Sequence, residues 1–410
     1  MGAEIAIRFF RRGTEVLLVQ CDCPSSNQRR PVSVPLDDRS DSAVAERLRL
    51  TLDPEMSATL VRRGDPIAAE DDTTQRTVHP FLFECDSREL TLSESITDHE
   101  WVQPPLMLDR DTDPWMWDAY LAVAPSVRTV REDVEHGATY VSLRALEVLR
   151  DRAAVAAASG DGYESLTELA RELRRARGSM GVIETRINRV MATADRTPVS
   201  VRERAIKACA DAVRADQTAA ELVAPRLGDR ILTLSRSETV YTALLAASPQ
   251  SVFVAESRPA QEGIDTAERL AENGLDVTVL VDAAIEGLVA AGNIDTVLIG
   301  ADSVFADGSV TNKVGSRTAM RAGNDADLDC VVLCSIDKVV PDISVDPEYG
   351  PVEAVYDGTA ALTVYNPTFE RVPAADVTEI ATERGTHSPD DLDSIAEKHA
   401  SYRDWDENRR

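Results

Sequence analysis

From about residue 229 the chain settles into a rhythm in which the apolar runs RILTLS, SVFVAE, DVTVLVD, TVLIGAD and CVVLCS alternate with stretches such as AQEGIDTAERLAENG. A strand that is apolar throughout is buried on both faces, and the intervening stretches carry apolar residues at helical spacing. The alternation therefore predicts a Rossmann-like parallel sheet with helices on both faces. Between residues 141 and 224 the texture differs: LRALEVLRDRAAVAAA, LTELARELRRA and MGVIETRINRVM place apolar residues three and four apart, which predicts a helical subdomain. GDGY at 160–163 and ADRTPVS at 194–200 interrupt it, through glycine's permissive backbone and proline's missing donor. Residues 1 to about 125 are β-rich, with EIAIRFF, EVLLVQC and HPFLFEC as short strands and one helix predicted over SDSAVAERLRLTL, residues 40–52. The last stretch, from about residue 389, is polar and charged, which fits a short surface helix or a fraying end. The organisation expected is thus 1–128, a front α+β domain; 129–226, helical; 227–388, the parallel-sheet domain; and 389–410, a tail.

Four of the apolar runs stop on a polar residue: Ser235, Glu256, Asp282 and Asp302. In open parallel sheets, ligands bind in the crevice beyond the carboxyl ends of the strands. Any one such residue is more often an N-cap or turn former than a site residue. Asp302 stands out because its run is apolar up to the acid, and the following SVFADGSV reads as a tight excursion before a helix opening near Asn312.

The balance of 71 acidic against 44 basic residues, a net charge of -27, repels phosphate backbones and anionic membranes and argues against both as partners. The same acidity, with 40 arginines and four lysines, resembles the cytoplasmic proteins of salt-accumulating archaea. Against that background Lys313, beside Asn312 and two glycines, is a retained compact charge suited to a phosphate. The six cysteines show no paired C-x-x-C spacing and sit mostly inside apolar runs, which predicts a reducing cytosol without disulfides or structural zinc. No run approaches about 18 apolar residues, and MGAEIAIRFFRR lacks a signal peptide's apolar core, so a soluble, unprocessed protein is expected.

GADSVFADGSVTNKVGS at 300–316, AESRPAQEG at 255–263, RGSMG at 177–181 and YNPTFERVP at 365–373 closely resemble one superfamily. It joins the alpha, beta and delta subunits of translation initiation factor 2B, ribose-1,5-bisphosphate isomerase and methylthioribose-1-phosphate isomerase. The resemblance covers about residues 141–390 with its motifs in order. It implies a phosphosugar pocket in which Arg177 and Gly178 match the phosphate contact and Arg196 the arginine of an R-P-T segment, its proline one residue late. Gln261 matches the glutamine after E-x-R-P, Asn312 and Lys313 the Asn-Lys pair, and Asp302 the catalytic aspartate. The departure lies in TLSRSE, where the isomerases carry T-H-C-x-S: Ser235 takes the cysteine position and Leu234 the histidine position.

Opening a sugar 1-phosphate ring and moving a proton between adjacent carbons requires two proton-handling groups. A thiol near pKa 8.5 can be activated by its surroundings, whereas a hydroxyl needs an adjacent base. All five histidines, at 79, 99, 136, 387 and 399, fall outside the Ser235 segment. The serine resembles the regulatory alpha-type subunits, which implies phosphosugar binding in a sensing or regulatory role. The alternative is an aldose-ketose isomerase acting on a ribose-1-phosphate derivative of the ribose 1,5-bisphosphate type, with Asp302 and Ser235 as its catalytic pair. The resemblance further implies a homodimer or higher oligomer, no cofactor, and a sugar phosphate or nucleotide ligand, with an initiation-factor subunit as a candidate partner.

The front region looks like a Nudix domain in layout, with SESITDHEWVQP resembling its E-x5-W segment. A working Nudix helix holds magnesium through clustered glutamates. Setting that box on AERLRLTLD puts Val32 at its first glycine, Asp38 at its first acid, and Arg47, Leu50 and Thr51 at the key glutamates. The metal site is absent in that frame, which ranks a Nudix hydrolase third and leaves Glu94, His99 and Trp101 as groove lining only.

Overall fold

The computed structural model describes residues 3–21, 29–35, 58–71, 74–85, 87–88, 96–110, 112–113, 115–341 and 347–406. The helix expected over 40–52, with Asp38, Arg47, Leu50, Thr51 and Glu94, lies outside the described residues. The chain divides into two compact units, Met1–Ser126 with Glu147–Gly162, and Val127–Leu146 with Tyr163–Arg410.

The first unit is a mixed sheet of β1 (Ala3–Arg12), β2 (Glu15–Cys21), β3 (Val32–Pro35), β4 (Ala58–Arg63), β5 (Ile67–Asp71), β6 (Thr74–Cys85) and β7 (Ile96–Val102). The order is β4-β6-β1-β2-β7, with β3 also on β1 and β5 also on β6. The β1–β6 pair is parallel and the other pairs are antiparallel. Period-two alternation sends Ile7 and Phe9 to one face, where Leu18, Val78 and Leu82 pack with Tyr120 of helix α1 (Trp115–Leu121). Residues 147–159, from the second half of α3 (Ala138–Ser159), are pinned by Arg150, which donates to the Thr14 carbonyl at 2.9 Å, Gln103 Oε1 at 2.7 Å and Asp151 Oδ1 at 2.7 Å. A fully buried guanidinium is tolerated because its donors find these acceptors.

In the second unit α2 (Val127–Glu132) and the start of α3 precede α4 (Tyr163–Ala176), α5 (Gly181–Thr193) and α6 (Pro198–Val223). ADRTPVS breaks the helices for two local reasons. Thr197 caps α6 by accepting from the Ser200 amide at 3.2 Å, and Pro198 occupies its first turn, where no donor is needed. The parallel sheet follows as β8 (Arg230–Leu234), α7 (Glu238–Ala247), β9 (Ser251–Ala255), α8 (Glu262–Glu272), β10 (Val277–Leu280), α9 (Ile285–Ala290) and β11 (Thr296–Ile299). Its order is β10-β9-β8-β11-β14-β17-β18, with β14 (Asp329–Leu333) and β17 (Glu379–Thr382) parallel and β18 (Gly385–His387) antiparallel. Separate apolar clusters cover the two faces, one around Ile299, Met320 and Val332, the other around Val223, Leu244 and Val254. Because the winding reverses between β8 and β11, their carboxyl ends diverge into a crevice.

The excursion after Asp302 is not the prelude to a helix at Asn312. β12 (Ser303–Phe305) and β13 (Val310–Lys313) form a hairpin turned at Gly308, φ 77°, inside a second, four-stranded sheet ordered β15-β12-β13-β16, with β15 (Val339–Val340) and β16 (Phe369–Val372). Helix α10 (Ser316–Asp325) opens after Gly315, φ 104°. Every residue of β13 is buried, Asn312 and Lys313 included, so no polar-apolar alternation marks it as a strand. The polar final segment forms helix α11 (Asp393–Ser401), and its end is docked: Trp405 Nε1 donates to Asn188 Oδ1 at 3.0 Å, and Asp406 accepts from Arg171 and Arg174 at 2.8 and 3.1 Å.

Gly263, in the first turn of α8, lies against the end of β9: a Cβ there would stand 1.9 Å from the Ala255 carbonyl oxygen. Since that atom is sheet backbone, Gly263→Ala is expected to cost about 3 kcal/mol, the upper end of overpacking penalties, measured as a lowered urea midpoint.

Candidate functional site

The two strands that flank the winding reversal carry the two sharpest candidates. Ser235 directly follows β8; Asp302 follows β11 by three residues, and its amide donates to the Thr311 carbonyl at 2.9 Å, which ties it to β13. Asp302 is 9% exposed, and its pKa is raised to about 6. Burial is the largest cause; the Lys338 charge opposes it, Glu348 adds to it, and Lys313 and Arg177 oppose it. Four separate chain segments thus converge electrostatically on one carboxyl group.

Two of those contributors, Arg177 and Lys313, belong to the sequence-derived set. Arg177 follows α4, is donated by the same turn that holds Gly178, and pairs with Glu348 at 3.0 Å. It also donates to the Asp133 carbonyl. Lys313 pairs with Glu262 Oε1 at 2.6 Å, while Asn312 Nδ2 donates to Ser316 Oγ at 2.9 Å, bracing the turn into α10. Lys338 and Glu348 lie outside that set. Lys338 is buried and donates to the Ala301 carbonyl next to Asp302. The rarity of lysine, the argument that singled out Lys313, applies equally to Lys338. Glu348 lies in an irregular segment, and nothing in its local pattern distinguishes it from other surface acids.

Gln261 and Arg196 are placed differently. Gln261 is exposed at the N-terminus of α8 with φ 62°, and its Nε2 approaches Glu256 Oε2 at 3.4 Å. Arg196 is exposed in the loop before α6 with φ 54°, and its charge acts on the Tyr163 hydroxyl. Asp282 serves the backbone: its carboxylate accepts from the Ser257 and Arg258 amides at 2.8 and 2.7 Å, closing the turn after β9.

Ser235 is held in the left-handed region, φ 62°. Its amide donates to Ser257 Oγ at 2.7 Å and its carbonyl accepts from Thr266 Oγ1 at 2.8 Å, so both sides of the residue are anchored. Its hydroxyl makes no hydrogen bond among the described residues. The tertiary structure does bring a histidine-bearing loop nearby: Arg236 donates to the Glu135 carbonyl. The His136 ring is already engaged, with Nδ1 3.0 Å from the Asp133 carboxylate and its plane stacked on Tyr140 at 4.0 Å. Neither thiol near the sheet replaces the missing cysteine, because burial pushes both Cys330 and Cys334 up to about 12. Among the described residues no group of three or more His, Cys, Asp or Glu side chains is placed to hold a metal ion. No described helix is long and apolar enough to cross a membrane.

A doubly wound sheet with a buried carboxyl group beyond its switch-point strands, acted on by arginine and lysine charges, defines a doubly wound α/β protein. Residues 134–389 match the Initiation factor 2 subunit family, and the chain belongs to it. Among its relatives, the ribose 1,5-bisphosphate isomerase of Haloferax volcanii is 31% identical over 296 residues, 66% of this chain and 91% of that protein. The methylthioribose-1-phosphate isomerase of Gemmatimonas aurantiaca is 28% identical over 254 residues, 55% of this chain and 72% of that protein. The fold resembles the translation initiation factor eIF-2B of Pyrococcus horikoshii, with a TM-score of 0.56 at 21% identity, covering 64% of this chain and 95% of that one.

Proposed function

We propose that the crevice between β8 and β11 binds a sugar phosphate, and that the chain acts by sensing or regulation more than by turnover. The observation that carries this reading is the convergence of the Arg177, Lys313 and Lys338 charges on the buried Asp302, which follows β11, while the hydroxyl of Ser235, after the neighbouring β8, has no hydrogen-bond partner among the described residues. The cations suit phosphate, and the carboxyl group suits a sugar hydroxyl or ring oxygen. Calorimetric titration in concentrated salt with ribose 1,5-bisphosphate, methylthioribose 1-phosphate and AMP tests it. Binding of a sugar phosphate, weakened about tenfold or more by Lys338→Met, is the expected result; loss of one buried charge-assisted hydrogen bond corresponds to that scale. Failure of all three compounds to bind sinks the reading.

A second reading, aldose-ketose isomerisation of a ribose-1-phosphate derivative, draws on Asp302 itself, whose pKa near 6 lets it both give and take a proton close to neutrality. As the acid that protonates the ring oxygen, Asp302 must start protonated, so turnover should fall as pH rises through about 6. Asp302→Asn should lower the rate by roughly 100-fold or more and abolish that dependence, read by ribulose 1,5-bisphosphate formation. A rate that rises across the same interval would remove Asp302 from the acid role.

The front unit we read as a degenerate Nudix-type domain; its mixed sheet with one parallel pair, β1 with β6, supports the layout, and His99 and Trp101 lie on β7. Self-association, an initiation-factor partner and a salt-rich cytoplasm belong to the same reading.

A further inference from the structure

Glu348 occupies the guanidinium assigned to phosphate. Its carboxylate lies 3.0 and 3.3 Å from Arg177 NH2 through its two oxygens, and it accepts from Ser179 Oγ at 2.7 Å. Arg177 and Ser179 flank Gly178 in the turn between α4 and α5, the segment matched to the family's phosphate contact. The Glu348 backbone is itself fixed, because its carbonyl accepts from the Thr368 amide at 2.9 Å. The side chain, 29% exposed, is therefore the part able to leave. Both carboxylate oxygens sit on the same guanidinium nitrogen, with the serine hydroxyl closing the arrangement, much as two oxygens of a phosphate would.

We propose that Glu348 is an internal anion that fills the Arg177–Ser179 seat and sets the specificity of the crevice, admitting only ligands whose phosphate displaces it. The inference rests on the phosphosugar reading above. A carboxylate brings one negative charge to this seat and a phosphate monoester close to two, so a phosphate wins the exchange while a singly charged or neutral ligand does not. The displaced carboxylate swings toward solvent, where it is readily hydrated. Glu348 is then a specificity-determining residue acting by competition.

The sign of one substitution separates competition from support. If Glu348 competes, Glu348→Gln keeps the shape and removes the charge, and binding of inorganic phosphate and ribose 1,5-bisphosphate tightens. If it merely positions Arg177, the same change loosens the guanidinium and both ligands bind more weakly. Calorimetry on the full-length protein in concentrated salt should show Glu348→Gln binding each phosphate ligand about tenfold more tightly than wild type, with neutral ribose unchanged; one competing charge-assisted contact is of that order. Glu348→Asp, which keeps the charge, should stay at or near the wild-type affinity, and thermal unfolding of each variant verifies that it is folded. Unchanged or weaker phosphate binding by folded Glu348→Gln overturns the proposal, as does equal tightening for ribose. Should wild type and Glu348→Gln both fail to bind any phosphate ligand, the phosphosugar reading falls and this one with it. Should wild type bind and Glu348→Gln not bind more tightly, only the competition falls.

Discussion

Ser235→Cys is expected to create or raise isomerase turnover by at least about 100-fold, on the scale of one proton-transfer group restored to an otherwise assembled site. The swap exchanges one hydroxyl for a thiol of nearly the same shape, on a residue whose amide and carbonyl are both anchored, at 2.7 and 2.8 Å. The backbone therefore holds its left-handed conformation. The new thiol precedes the N-terminus of α7, whose Ser237 cap accepts from the Val240 amide at 3.4 Å, and a helix N-terminus favours thiolate. A serine hydroxyl in the same place gains too little from that field to ionise. Ribulose 1,5-bisphosphate formation is the readout, with ligand binding measured in parallel. A folded variant that binds sugar phosphate as wild type does, yet turns nothing over, would show that the crevice is not an isomerase site lacking one group.

The largest stability effect should come from Asp337, which lies in the turn Ile336–Lys338 just after β14. Its carboxylate accepts from Arg186 Nε at 3.1 Å and Arg189 NH2 at 2.8 Å, and the Arg186 side chain is fully buried. Burial pushes the Asp337 carboxyl up, but the Arg189 and Arg186 charges outweigh it and hold the group far below the ordinary carboxylate range. Asp337→Ala takes the carboxylate from the buried Arg186 guanidinium and leaves it the Ser142 and Ser335 hydroxyls as acceptors, at an expected cost of about 3 kcal/mol in the urea unfolding free energy at pH 7. Because the folded pKa is depressed, this contribution is complete above the unfolded value of about 3.9 and declines as pH falls below it. Added salt should change it little, since buried pairs are poorly screened. A loss under about 1 kcal/mol, the worth of an exposed pair, would contradict this account. The same variant should weaken phosphate binding, because Lys338 is the next residue.

Much of the parallel-sheet unit can be read from residue order. RILTL, SVFVA and TVLI are strands where the apolar runs predict them, and the polar residues that stop them stand at the carboxyl ends of the sheet. VTNK carries no such signal because it is buried throughout in a small second sheet, where its backbone pairs with β16 and Lys313 finds its partner, Glu262, 51 residues away. His136 shows the same limit: 99 residues before Ser235, it reaches the neighbourhood of Arg236 through a loop that only the folded chain positions.

Residue order alone carries the alternation of strand and helix, and hence a sheet buried on both faces, together with the acid, the amide and the rare lysine of GADSVFADGSVTNKVGS. Those are local properties, fixed by the period of apolar residues and by what each side chain can donate or accept. Folding is what raises the acid's pKa to about 6 by burial, brings the Lys338 charge to bear on it with those of Lys313 and Arg177, and seats Glu348 on Arg177. Burial and charge act through space, on groups brought within a few ångströms from segments up to 171 residues apart, and no local pattern encodes that distance.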